Sequence, residues 1–368
     1  MSGQRLGTIV RLELTQRTRS VAWYVLLGVF AVLLLIVTVL SFIAFSWVPE
    51  QRGSAIFSTI VYITLLLIVL VSPTLSGNSV NGDRDAATLA PVQVTLATTG
   101  EIILGKFLAA WTTGLAFVVV SIPFLVAATL AGGTDAATVI VSLAVLVVEV
   151  AVIAAIGVGL SGVIARPLFS VAATYLVVAA LVVGTVISFG LLGATMRTEQ
   201  VNNYRSIDYA SYEEEGTFPC MQGEEPTEDY PCDDDPSPEC GEWETSTYEV
   251  PRFDRVWWIL AANPFVILAD ATPTQFDSNG YPVDLFGQIK SGVRMAQVPP
   301  EAETTYDDCS PTPQDQYPPT AEEIIATTTP SWFVGIALQL LLAAGLLWWA
   351  WARTNTPARR LPPGTRIA

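Results

Sequence analysis

The sequence predicts an all-α polytopic membrane protein: six transmembrane helices, both termini cytoplasmic, and a disulfide-bearing irregular extracellular domain between helices 5 and 6. Three observations predict it. Six long apolar runs follow one another, arginines crowd both ends of the chain, and nearly all the acid lies in one block from 195 to 330 with all four cysteines. That block carries 27 Asp and Glu against 6 Lys and Arg, and the remainder carries 7 against 12. Net charges of −21 and +5 thus make up the total of −16, and outside the block the chain is mildly basic and strongly apolar.

Residues 1–20 place Leu6, Ile9, Val10 and Leu14 at helical spacing, with Arg5, Arg11 and Arg17 elsewhere around the helix. This pattern predicts a cytoplasmic amphipathic helix lying on the membrane surface; the alternative is a basic flank that only sets topology. Residues 21–194 hold transmembrane helices 1–5, in the runs Val21 to Phe45, Ala55 to Leu75, Phe107 to Ala131, Ala136 to Ile164 and Pro167 to Leu192. About 20 apolar residues in a helix cross a hydrocarbon core of about 30 Å, and each run meets that length. The first is too long for a cleavable signal and lacks a small-residue cleavage site, so it is expected to remain as a span.

The connection 78–106 is long for a turn and carries the cluster Asp83-Arg84-Asp85. By contrast, Gly132-Gly133-Thr134-Asp135 and Arg166-Pro167 are short, which predicts antiparallel neighbours. In the acidic block 195–330, the composition of 199–250 cannot bury much apolar surface, and 271–319 is expected to be turns and irregular structure. Its apolar segment 256–269 is interrupted by Asn263-Pro264 and is too short to span, which predicts a re-entrant or interfacial segment. Helix 6 occupies 331–352, and a cytoplasmic tail occupies 353–368.

Orientation follows from the basic residues nearest the spans. Arg5, Arg11, Arg17 and Arg19 precede the first, while Arg353, Arg359, Arg360 and Arg366 follow the sixth, so both termini are expected inside and the acidic block outside. Trp23, Trp47, Trp332, Trp348, Trp349 and Trp351 stand at span ends, where indoles favour the interface. Cys220, Cys232, Cys240 and Cys309 then lie in an oxidising compartment and read as two disulfides with three possible pairings. Zinc is the poorer reading, because there is no paired CxxC and no histidine; unpaired thiols are the third.

Several chemistries are excluded as expectations. Without histidine there is no Ser-His-Asp triad or histidine general base, and no pair of carboxylates stands out as catalytic. No metal site is expected, because the acid runs lack the alternating aspartate pattern of a Ca²⁺ loop. Gly100 to Lys106 fits the first seven positions of a phosphate loop, but Phe107 stands where Ser or Thr would ligate Mg²⁺. The chain is therefore expected to be no enzyme by itself, with no cofactor bound and no nucleic acid as partner. Glu149 is the one ionisable residue deep in a predicted span. It reads as a contact for a cationic or polar substrate, a proton-linked site, or a structural carboxyl bonded to a neighbouring helix. Beyond it, Ala155/Gly159 and Gly157/Ser161 are small-xxx-small pairs that permit close helix contact, so span four is expected inside the bundle.

The run Asp83-Arg84-Asp85-Ala86-Ala87-Thr88-Leu89, followed by Glu101-Ile102-Ile103-Leu104-Gly105-Lys106-Phe107-Leu108, resembles the segment between spans two and three of ABC-2 type transporter permeases. These are the membrane subunits of bacterial ATP-binding cassette exporters. The amphipathic N-terminus, Gly159-Leu160-Ser161 and Asn263-Pro264-Phe265 extend the resemblance, while Ala87 and Ala90 depart from the usual Gly and acid. The resemblance implies a multi-pass protein of the bacterial plasma membrane, exporting an amphipathic compound, lipid or peptide. Its partners would be an ATP-binding cassette ATPase that holds the ATP and Mg, a second permease subunit, identical or homologous, and membrane lipid. It also implies that Asp83, Arg84, Asp85, Glu101 and Lys106 couple the permease to that ATPase. The alternatives are a membrane-anchored extracellular receptor or assembly factor, and an ion- or proton-coupled carrier.

Overall fold

A computed structural model describes residues 2–47, 52–86, 97–206, 218–219, 232–233, 240–308 and 319–355. The chain divides into two units, one formed by 1–189, 257–295 and 321–368, the other by 190–256 and 296–320. The first is helical. Helix α1 (Gly3–Thr18) leads through Arg19 and Ser20 into α2 (Val21–Ala44), and α3 (Arg52–Ser76) is followed by the short α4 (Asn81–Asp85). Next come α5 (Thr99–Leu130), α6 (Ala136–Val163), α7 (Pro167–Ala179) and α8 (Thr185–Thr195), the last two joined through a π-helical turn at Ala180–Gly184. Helices α9 (Trp258–Ala261), α10 (Pro264–Ala271), α11 (Leu285–Met295), α12 (Ala321–Thr327) and α13 (Trp332–Thr354) follow among the described residues.

Six of these segments are long and apolar enough to cross a membrane: α2, α3 continued through Asp85, α5, α6, the α7 to α8 helix and α13. They stand at the six places that hydropathy marked. Helix α5 begins earlier than expected, at Thr99 rather than near Phe107. Thr98 and Glu101 explain it: Thr98 Oγ1 accepts the Glu101 N–H at 3.3 Å, and Glu101 Oε2 accepts the Thr98 N–H at 2.9 Å, a reciprocal cap that starts a helix. The short connections behave as expected. Gly132 and Gly133 take φ of 93° and 83°, and Asp135 caps α6 through the Thr138 N–H at 3.3 Å, so the chain reverses within a few residues.

The core sits among α3, α5 and α6, with Phe57, Leu65, Phe117 and Leu146 fully enclosed. Helix α6 packs against α3, α5, α7 and α13, which gives span four the interior position its small residues predict. A Cβ on Gly157 would collide with the Ser76 side chain, one on Gly159 with Leu346, and one on Gly162 with Ala350. Those glycines let α3 and α13 approach α6 closely.

The segment 256–269 forms two short helices broken at Ala262 and Asn263, as Asn263-Pro264 predicts. Asn263 Oδ1 accepts the Phe265 N–H at 2.9 Å, while its Nδ2 donates to Val182 O at 2.7 Å and Thr185 Oγ1 at 2.9 Å. One side chain thus caps α10 and bonds a carbonyl inside the π turn, where the regular ladder is interrupted.

The expectation of irregular structure from 271 to 319 is corrected by α11 and by a strand. Leu285, Phe286, Ile289 and Val293 recur along one face of α11, and that face packs onto α10 and the main core. Asp270 and Arg294 fix the contact: Arg294 Nε donates to Asp270 Oδ1 at 2.7 Å, with the two side chains 4% and 0% exposed. Asp270 Oδ2 accepts the backbone N–H groups of Ser331 (2.5 Å) and Trp332 (3.0 Å), so the same carboxylate caps α13.

The second unit holds a three-stranded sheet, another correction to the expected irregular domain. Strand β1 (Arg197–Arg205) lies centrally, with β4 (Glu244–Pro251) antiparallel on one side and β5 (Glu303–Asp307) parallel on the other. Two further short strands, β2 (Phe218–Pro219) and β3 (Cys232–Asp233), pair with each other. Thr, Tyr and Val in 245–250 favour a pleated strand despite the surrounding acid. Tyr204 stacks on Tyr306 with ring centroids 5.7 Å apart, Arg205 pairs with Asp307 through two hydrogen bonds, and its guanidinium covers Trp243. Cys220 and Cys309 lie outside the described residues, as do Arg359, Arg360 and Arg366.

Arg294→Leu leaves Asp270 without its cation in a buried place, and removing one partner of such a pair costs about 3–5 kcal/mol. The expected outcome is a protein that unfolds at clearly lower temperature than the wild type, read by thermal denaturation in detergent; an unchanged midpoint contradicts the role of the pair.

Candidate functional site

Helix α1 does not stand apart from the bundle. It packs along the first turns of α5, and Gly105 makes this possible, because a Cβ there would meet the Ile9 side chain. Ile9 and Leu6, two of the apolar residues that predict the amphipathic helix, are the ones that use the space.

Polar contacts tie the same surfaces together. Glu101, fully buried, accepts the Ser2 N–H on Oε1 at 2.5 Å while its Oε2 closes the cap of α5, and Arg5 Nη1 lies 3.8 Å from Oε2. One turn and a half further along α5, Lys106 is only 3% exposed. Its ammonium pairs with Glu13 of α1 and, at 2.5 Å, with Asp83 of α4. A buried ammonium offers three donors and no acceptor, so two carboxylates from separate helices satisfy it. Arg17, near the end of α1, donates from Nη2 to Leu75 O at 2.9 Å, in the last turn of α3.

The α3 to α4 connection is held from the other side by α6. Ser161 Oγ accepts the N–H groups of Val80 (2.9 Å) and Asn81 (3.1 Å) and donates to Asn81 Oδ1 at 3.0 Å. Asn81 Nδ2 donates to Ile164 O at 3.1 Å. The short helix bearing Asp83-Arg84-Asp85 is therefore anchored at its first residue to α6 and at Asp83 to α5.

Of the five residues expected to act in coupling, Asp83, Glu101 and Lys106 belong to this junction. Arg84 and Asp85 sit on α4 with no side-chain hydrogen bond or ion pair to another described residue, half-buried and exposed respectively. The remaining motif residues Ala87, Thr88 and Leu89 fall outside the described residues. Glu149 takes no part in the junction and lies in the middle of α6, 1% exposed and beside Gln339 of α13. No group of three or more His, Cys, Asp or Glu suited to a metal is found among the described residues.

The residues that sequence reasoning missed are Glu13, Asn81, Asp270, Asp284 and Arg294. Glu13 is the only acid in 1–20, and an acid on an otherwise basic helix was a usable signal. Asp270 terminates an apolar run, and Arg294 follows Val293 in the one amphipathic stretch of 271–319, so their charges marked buried pairing only once the period of α11 was recognised. Asp284 stands before α11 and accepts the Gly287 N–H at 2.8 Å. Burial pushes its carboxyl up to about 6, against the pull of that hydrogen bond and of Lys290.

Lys106→Met leaves Glu13 and Asp83 facing one another without a cation. With those carboxylates 13% and 37% exposed, solvent screens part of the loss, and a cost of about 1–3 kcal/mol is expected. Faster proteolysis of α1 in the variant is the measurement; equal rates count against the junction. For Asp284 the folded form holds its proton more tightly than the unfolded chain, so stability is greatest at low pH and declines as pH rises from about 3.8 to about 6. Asp284→Asn is expected to flatten melting temperature against pH across that window.

Compared with known proteins, the chain matches no family model and no curated sequence.

Proposed function

We propose that the chain is the permease subunit of an ATP-driven exporter of the ATP-binding cassette class, moving an amphipathic compound, lipid or peptide across the bacterial plasma membrane. The observation that carries this reading is the Lys106 junction, in which one buried ammonium joins α1, α4 and α5 at a single end of the bundle. A separate ATPase pushing on α1 or α4 there acts directly on α5, a membrane-crossing helix, and through Ser161 on α6. Arg84 and Asp85, outside the network, are the side chains left to meet the partner. The chain supplies no ATPase motif, so ATP and Mg belong to that partner. It would act in pairs with an identical or homologous permease; α2, the α7 to α8 helix and α13 bury least against their own chain, 22%, 11% and 22% of their most apolar windows, and offer apolar faces to lipid or to that second subunit.

In this reading both termini are cytoplasmic and the sheet-bearing acidic unit is exterior. Its four cysteines would close two disulfides in the oxidising compartment.

Copurification from the native membrane is the test, and a stoichiometric ATP-binding cassette subunit is the expected companion. Reversing charge at Arg84 or Asp85 should loosen that complex or uncouple ATP hydrolysis from transport while the permease still folds, because neither side chain supports the junction. Isolation with an exterior partner and no ATPase would favour instead a membrane-anchored receptor or assembly factor, for which the folded exterior unit is the supporting feature.

A further inference from the structure

Hydrogen-bond acceptors outnumber donors at the centre of the helical unit. Glu149 lies midway along α6 and Gln339 in the first half of α13, each 1% exposed, and the Gln339 amide is the group that approaches the carboxyl. Gln339 Nε2 directs one hydrogen to Ala262 O at 3.1 Å, at the break between α9 and α10. Its second hydrogen can serve at most one carboxyl oxygen. Glu149 Oε1, Glu149 Oε2 and Gln339 Oε1 are all buried without a partner among the described residues. A carboxylate in such a place retains its full desolvation cost, and a buried amide oxygen without a donor adds to it.

Among the described residues no counter-charge is placed to offset this. Glu149 is the only ionisable residue of α6. On the helices packed against it, α3 brings Arg52, which donates to Phe42 O near the far end, and Tyr62, whose hydroxyl donates to Phe265 O at 3.3 Å. Helix α5 brings Glu101 and Lys106, both engaged in the junction, and α7 brings Tyr175, which donates to Leu70 O at 2.7 Å. Helix α10 brings Asp270, already paired with Arg294, and α13 brings Arg353 in its last turn. The shortage is of hydrogens rather than of a cation, and one proton relieves most of it, by turning one carboxyl oxygen from an unmet acceptor into a donor for a second.

We propose that Glu149 is a proton-binding site: protonated, it donates to Gln339 Oε1, and Gln339 donates in turn to Ala262 O, so that one proton completes a hydrogen-bonded chain from α6 through α13 to the break between α9 and α10. The chain ties two membrane-crossing helices to the segment that is broken into two short helices at Ala262 and Asn263. Loss of the proton opens the link and creates an uncompensated charge at the same point. A site that holds its proton only in the folded arrangement weakens the fold when that proton is lost, so stability is expected to fall as pH rises. Coupling to an ATPase is no part of this inference, and it stands or falls on the full chain alone.

Infrared spectroscopy of the purified protein in lipid nanodiscs at about pH 7 is the direct test, since a free glutamate with a pKa of about 4.3 is ionised there. The expected spectrum contains the C=O stretch of a protonated carboxyl that disappears in Glu149→Gln. It shifts in Gln339→Leu, which takes away the acceptor. Glu149→Gln supplies N–H hydrogens to the same oxygen and is expected to keep the wild-type melting temperature while losing its decline above pH 6, beyond the range of Asp284. Absence of a protonated carboxyl band assignable to Glu149, a band that Gln339→Leu leaves unmoved, or a Glu149→Gln variant with the wild-type pH slope overturns the proposal.

Discussion

Inside an apolar bundle, a backbone carbonyl or N–H that leaves its helical ladder must be met by the protein itself, because neither lipid nor packed side chains will bond it. The helical unit answers this constraint wherever a helix starts, stops or breaks. Asn263 closes both the break before α10 and the π turn of the fifth span. Asp270 receives the first N–H groups of α13. Ser161 and Asn81 share the turn after α3, and Thr98 with Glu101 begins α5. Each of these polar side chains also bonds a second element or sits where one packs, so satisfying the backbone and fixing the tertiary arrangement are accomplished by the same residues.

This double use explains why the charged junction sits where it does. Glu101 is buried because the cap it completes lies under α1, and once buried it requires donors, which Ser2 and Arg5 bring from α1. Lys106 follows on the same helix, and Gly105 between them removes the side chain that would have held α1 away. A local signal for starting a helix thereby becomes a docking surface for another helix. The mechanical reading proposed for the chain rests on this continuity, in which α1 cannot shift without disturbing the first turns of a membrane-crossing helix.

The membrane-crossing helices were legible because hydropathy over 20 residues is a property of composition, and no tertiary contact competes with it over such lengths. Asn263-Pro264 and Gly132-Gly133 were legible for the opposite reason, since those residues restrict or free the backbone locally. Of the junction, the sequence carried Asp83, Glu101 and Lys106 but not Glu13, whose partner is 93 residues away. The sheet and α11 were obscured by the acid around them. In β4 the residues are almost all exposed, so no alternation of apolar and polar marks the strand, and its pairing with β1 is set by partners distant in sequence. Arg294 and Asp270 illustrate the same limit: two charges that look like solvated surface become the most deeply buried ion pair of the described residues.

The parallel pairing of β1 with β5 has a bearing on how the chain is made. Val201 lies opposite Glu303, and between them the chain passes through 257–295, which belongs to the helical unit. Synthesis therefore delivers β1 and β4 as an early hairpin-like pair, while the third strand arrives only after α9, α10 and α11 have emerged. Contacts of such long sequence separation form late and slowly. The sheet can reach its final strand count only after the broken helix has been made, so the pieces of the acidic unit are interleaved along the chain with those of the helical unit rather than appended to it.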